Sequence, residues 1–242
     1  MTTLYAAWLD GDHAQIAEYM AALRAMPGVG QTAVYQPDPK PGKFLRDADT
    51  ATAKLDVPGL VATPATAWAL AELDCVPAGL RITELLGPRP YRHVQYPGRW
   101  QADGRIAEGP ARIVVTQELM SEVNYVPGRA DTDDRAFGQA VQFGAFSAKT
   151  TADEWKILEW YERLRFEELR TVEGHVRTRR YATIAGFGKF GILYEFTSLA
   201  ARQTGFEDAL MSKSARPDAP IRILDITVHA PGAPYVGEQI AV

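Results

Sequence analysis

RRYATIAGFGKFGILYEF, residues 179–196, is the stretch on which the fold turns. It contains Gly186-Phe187-Gly188-Lys189-Phe190-Gly191, the G-x-G-x-x-G spacing of a nucleotide-binding loop. That fingerprint needs a helix directly after the glycines, because unpaired N–H groups at the helix N-terminus hold the pyrophosphate. The glycines here lead instead into Gly191 to Phe196, short, apolar and aromatic, which reads as a strand. The preceding Val176 to Ile184 is also strand-like. Glycines between two extended segments predict a hairpin turn and no dinucleotide.

Around this hairpin the chain has 242 residues, 46% of them hydrophobic, enough for a full core in one large domain or two smaller ones. A net charge of −4 with no long basic run argues against a nucleic-acid partner. No apolar run reaches the roughly 20 residues that cross a bilayer. The start, MTTLYAAWLDGD, lacks a basic region followed by a continuous apolar one, so no membrane partner and a cytoplasmic location are expected. A single cysteine, Cys75, forms no internal disulfide and is expected to be a buried structural residue.

Two passes of strand, helix, strand, strand, helix, strand run along the chain. In the first, Thr3 to Leu9 reads as a strand and Asp12 to Ala25 as a helix, with Ile16, Tyr19, Met20 and Leu23 on one face. In the second, Arg112 to Leu119 reads as a strand. The helix near Thr151 carries Ile157, Trp160, Tyr161 and Leu164 at the same intervals, with a capping box at Thr151-x-x-Glu154. GVGQTAVY (28–35) aligns with GHVRTRRY (174–181) at Gly, Thr and Tyr. LAELD (70–74) aligns with LYEFT (193–197), and QYPG (95–98) with HAPG (229–232). Two units are therefore expected, residues 1–108 and 109–242, the second beginning at the Arg112 strand.

Each βαββαβ unit would form a four-stranded antiparallel sheet with both helices on one face. Pressing the two bare faces together gives an α+β fold, an antiparallel barrel with helices outside. Through RTRRYATIAGFGKFGILYEFTS (177–198) in particular, the sequence resembles the dimeric α/β-barrel superfamily of ferredoxin-like proteins, with two units fused in tandem. The resemblance implies further association, such as a homodimer, as one expected assembly. Two insertions interrupt the pattern, Gln36 to Thr63 and Glu122 to Thr150. The second, with Phe137, Phe143 and Phe146, is expected to pack as a lid.

Alternation along the strands nominates the barrel lining. Asp225, Thr227 and His229 are expected to face inward on the last strand, with Tyr91, His93 and Gln95 on its counterpart. Arg177, Arg179 and Tyr181 are opposed by Gln31, Ala33 and Tyr35. Phe190, Ile192 and Tyr194 are opposed by Ala67, Ala69 and Ala71, a hollow facing an aromatic row. A small aromatic or hydrophobic ligand suits such a pocket, with Tyr181, Tyr194, His93, Tyr35 and Phe190 as its wall.

His229 is the expected proton-transfer residue, because an imidazole titrates near neutral pH; the bland alternative is an exposed strand-end histidine. Asp225 would orient or balance a neighbour. Arg177 and Arg179 would stabilise an oxyanion, or else form internal ion pairs with Asp225 or Glu118. His175 and His13 read as structural or solvated. Four scattered histidines and one cysteine show no metal-ligand spacing, and no G-x-S-x-G elbow is present, so neither metal nor cofactor is expected. The resembling superfamily includes haem proteins and cofactor-independent monooxygenases, cyclases, isomerases and lyases. The expected activity is cofactor-independent lyase or isomerase chemistry on a small aromatic metabolite. The alternatives are a cofactor-free monooxygenase or cyclase and a non-catalytic binding or assembly protein.

Overall fold

The computed structural model describes residues 2–39, 53–54, 65–86, 113–132, 134–211, 222–230 and 233–242. Tyr91, His93, Gln95 and most of the 36–63 insertion lie outside the described residues.

In chain order the strands are β1 (Thr3–Leu9), β2 (Val29–Pro37), β3 (Ala53–Lys54), β4 (Ala67–Leu73), β5 (Val114–Pro127), β6 (Ala140–Ala148), β7 (His175–Ala185), β8 (Phe190–Phe196), β9 (Thr227–His229) and β10 (Tyr235–Gln239). The longer helices are α1 (His13–Arg24), α2 (Val76–Leu86) and α3 (Thr151–Trp160), the last continued by a π-helical turn, Tyr161–Arg165. Eight strands close a ring in the order β10-β2-β4-β1-β5-β7-β8-β6, with β6 returning to β10. Every pairing around that ring is antiparallel. A closed barrel leaves no sheet edge within the ring. β9 and β3 extend from β6 outside it.

The expected helices form, and their caps explain where they start. Asp12 accepts from the Gln15 backbone N–H while the Gln15 side chain accepts from the Asp12 N–H, a full capping box. Thr150, one residue before the expected cap, accepts from Asp153 N–H and begins α3. Ile16, Tyr19, Met20 and Leu23 are buried as their spacing requires. The glycines at 186–188 turn β7 into β8, a hairpin and not a phosphate loop.

The strand expected to open the second unit lies beside β1 as well as β7. Two corrections concern topology. Most of the expected lid is strand, since Glu122–Pro127 completes β5 and Ala140–Ala148 is β6, a stave of the barrel. Residues 128–132 and 134–139 remain as a strap. The chain around Asp225 is a helical turn, Ile223–Ile226, and only Thr227–His229 is extended.

Which face points inward is the larger correction. Ala67, Ala69 and Ala71 lie beneath the first-half helices with Ile16, Tyr19, Met20 and Leu23. Ile192 and Tyr194, with Phe190 against them, lie in the core beneath the second-half helices. The interior instead takes the alternate set, among them Leu4, Ala6, Trp8, Trp68, Leu70, Met120, Phe143 and Leu193. Both faces of these strands are buried, so apolar alternation identifies residues that share a face without saying which face is inside. Cys75, expected to be buried, is exposed.

Candidate active site

Interior-facing residues follow from register. Glu118 of β5 sits opposite Ala6 and Met120 opposite Leu4, so both point into the barrel. Along β7 the same parity places Tyr181 inside, with Arg177, Arg179 and Thr183 on its face.

Glu118 is the most unusual of these groups. Its carboxylate is buried, and it accepts from the Phe187 backbone N–H, 3.1 and 3.2 Å from the two oxygens. Among the described residues no cation pairs with it. Burial pushes its acid group up to about 8, against the lowering effect of the Phe187 N–H. The glycine hairpin therefore has a second purpose. A Cβ at Gly186 would overlap the Glu118 carboxylate, so only glycine lets this backbone lie over the acid.

The surrounding wall is aromatic. Trp8 and Trp68 stack at 6.0 Å and 16°, and Trp8 meets Tyr235 at 4.7 Å. Phe143 lies 5.4 Å from Trp68, and Phe187 packs against the same cluster. Both indole Nε1–H groups are buried and have no acceptor among the described residues. The Tyr181 hydroxyl and Thr183 Oγ1 are in the same condition. Such groups cost free energy unless something else supplies the partner.

At the opposite end Arg179 lies fully buried between two carboxylates. Its Nε donates to Glu195 at 2.8 Å and its Nη1 to Glu72, and its guanidinium lies 4.8 Å from the Phe137 ring centre. Burial opposes that charge, but Glu195 and Glu72 hold Arg179 ionised. Arg177 Nε lies 3.1 Å from Asp131 of the strap. The internal ion pairs expected of these arginines exist, with partners other than Asp225 or Glu118. Tyr35 donates to Gly138 O at 2.8 Å, and burial raises the pKa of Tyr35 and Tyr181 well above the ordinary tyrosine value.

The residues named from sequence thus divide. Arg177, Arg179, Tyr181 and Tyr35 face the interior. His229 does not: it pairs with Phe146, which lies beneath the helices, and their rings are 5.9 Å apart. Asp225 is exposed and paired with Arg222 at 3.2 Å. Tyr194 bonds to Tyr161 at 3.2 Å on the helix side, and Phe190 contacts Phe146 there. His93 falls outside the described residues. Strand alternation by itself offers Glu118 only as an ion-pair partner. Its signal is an acid at the inward parity of a strand, Thr116-x-Glu118-x-Met120, which is legible only once that face is known.

Among the described residues no histidine or cysteine faces the interior, so no imidazole or thiolate is placed there to ligate a haem iron or another metal. His175, also buried, bonds to Thr178 Oγ1 at 2.8 Å, and burial pulls its pKa down to about 4. No group of metal-ligating residues occurs among the described residues, and none of their helices is long and apolar enough to cross a membrane.

The architecture defines the class: an α+β chain whose antiparallel strands close an eight-stranded barrel with helices packed outside it. An anthrone oxidase-like protein superposes with a TM-score of 0.57 at 12% identity, over 99% of this chain and 91% of that one. A Fusobacterium nucleatum protein provisionally described as a monooxygenase gives 0.51 at 10%, over 99% and 92%. A chlorite dismutase variant from Candidatus Nitrospira defluvii gives 0.50 at 11%, over 99% and 91%. These likenesses carry the fold alone. No family model and no curated protein matches the sequence.

Proposed function

We propose that the barrel is an acid–base enzyme in which Glu118 removes a proton from a planar aromatic carbon acid, with dioxygen as the second substrate. The observation that carries this reading is a buried carboxyl that no cation among the described residues pairs with, its pKa raised to about 8, on the same inner face as the aromatic cluster. A base with a pKa near the working pH combines a useful ionised fraction with proton affinity. Perturbed acids in such settings are functional candidates.

The Trp8 and Trp68 Nε1–H groups are the donors assigned to the oxygen on which charge accumulates after deprotonation. The resulting carbanion reduces dioxygen directly: its electron pair forms a C–O bond, the peroxide takes the proton back from Glu118, and loss of water leaves a carbonyl. A methylene plus dioxygen becomes a ketone plus water, so atoms and electrons balance without a redox group. The name of the anthrone oxidase-like neighbour is compatible with this chemistry. We also propose that the barrel is two ferredoxin-like units in tandem, with β5 as the fourth strand of the first, which moves the boundary from residue 108 to the strap. The strand orders β5-β1-β4-β2 and β9-β6-β8-β7 support this reading.

Anthrone is the probe. Wild type should form anthraquinone only with oxygen, with kcat/KM rising toward a plateau above about pH 8, and Glu118→Gln should lower turnover by about 10²–10⁴-fold. Full turnover in Glu118→Gln refutes the assignment. A metabolite extract incubated without oxygen covers the isomerase and lyase expectation: an anoxic product lost in Glu118→Gln would establish that chemistry instead.

A further inference from the structure

The end of the barrel opposite Glu118 is closed by the strap, residues 128–132 and 134–139, and beneath it lies an incomplete arginine site. Arg177 is fully buried. Its Nε lies 3.1 Å from Asp131, whose side chain is 16% exposed, an ion pair without hydrogen-bond alignment, and Nε, Nη1 and Nη2 all lack a hydrogen-bond acceptor among the described residues. Tyr125 donates its hydroxyl to the other Asp131 oxygen. A guanidinium presents paired N–H donors that match a carboxylate side-on. Asp131 uses only one edge of it, so a strap carboxylate at the solvent margin fills a deeper site incompletely.

The strap is fastened mainly by side chains. Gln31 donates to Asp134 O at 2.5 Å, Arg135 pairs with Glu122 at 3.0 Å, and Glu195 accepts from Gly138 N–H at 2.9 Å. Arg135 sits in the left-handed region at φ 55, an uncommon conformation for a non-glycine residue. Backbone bonds anchor the near end, from Gly128 to Val176 and from Ala130 to His175.

We propose that this end of the barrel binds a small monoanionic carboxylate, which takes the place of Asp131 on Arg177. Charge selects the ligand. Glu72, Glu122 and Glu195 already lie at this end, so exchanging one carboxylate for another leaves the balance unchanged, whereas a phosphate dianion adds to the negative side. The site is separate from the proposed reaction centre: Ala185, which pairs beside Glu118 at Leu119, and Arg177 are eight residues apart on β7, about 26 Å at the usual rise.

Asp131→Ala removes the resident carboxylate. Acetate and benzoate, titrated into that variant, should raise its melting temperature and perturb the 15N resonances of the arginine side chains. Their apparent Kd should be about tenfold or more below the wild-type value, since a tethered Asp131 competes at an effective concentration on the order of millimolar. Adding Arg177→Gln should abolish the response. Should Asp131→Ala not fold, Asp131→Asn with the same resonances as readout serves instead. A response equalled by chloride or inorganic phosphate at matched ionic strength, or one that survives Arg177→Gln, overturns the proposal.

Discussion

Replacing Glu118 by Gln tests the acid independently of any substrate. In the folded chain this carboxyl titrates near 8, against a value of 4.5 in the unfolded chain. Between those limits the folded state holds a proton that the unfolded state has released. The unfolded chain therefore binds fewer protons, and stability falls as pH rises. At about 1.36 kcal/mol per pH unit, the group's contribution declines by about 4 kcal/mol between about pH 5 and pH 9. Most of that loss is complete by pH 8. Glutamine preserves the shape and still accepts from Phe187 N–H but does not ionise. Urea unfolding of both proteins at about pH 5, 7 and 9 should give nearly equal stabilities at the acid end and a widening advantage for Glu118→Gln toward the alkaline end. Opening of the hairpin to admit water sets an upper bound on that advantage. Parallel profiles across the range would refute the claim that Glu118 is a buried acid with a raised pKa.

Other substitutions probe the hairpin, the buried histidine and the interior pairs. Gly186→Ala should cost about 1–3 kcal/mol by urea unfolding and speed amide exchange in the hairpin, because its Cβ overlaps the Glu118 carboxylate; an unchanged protein would mean that the hairpin does not lie over the acid. His175 is held neutral, its folded pKa near 4 below the ordinary 6.5, so it contributes stability that is present above about 6.5 and lost as pH falls toward 4. His175→Asn should flatten that acid limb in urea titrations. Glu195→Ala should cost about 3–5 kcal/mol, because it removes one partner of a buried pair and leaves Arg179 to Glu72 alone. Tyr181→Phe should be neutral or stabilising by up to about 1 kcal/mol in thermal unfolding, since the buried hydroxyl has no partner among the described residues to lose.

Whatever local chemistry controls is legible in the sequence. The spacing of Ile16, Tyr19, Met20 and Leu23 specifies α1 and its buried face, and the extended segments on either side of Gly186–Gly188 specify a hairpin in place of a phosphate loop. The same patterns lead to a barrel, and the ordered matches between its halves lead to the expectation of a repeat. Parity in β7 correctly groups Arg177, Arg179 and Tyr181 on the inner face. Elsewhere the inner face is settled only by the assembled fold. In β4 and β8 both alternating sets are apolar enough to be buried, and helix packing claims Ala67, Ala69, Ala71, Ile192 and Tyr194. His229 is lost to the interior for a related reason: only pairing with Phe146 on β6 fixes its side of the sheet. Glu118 becomes visible through the closure of the ring, because a carboxyl acquires its unusual acidity from the walls and the hairpin around it, and these come from residues far away in the chain.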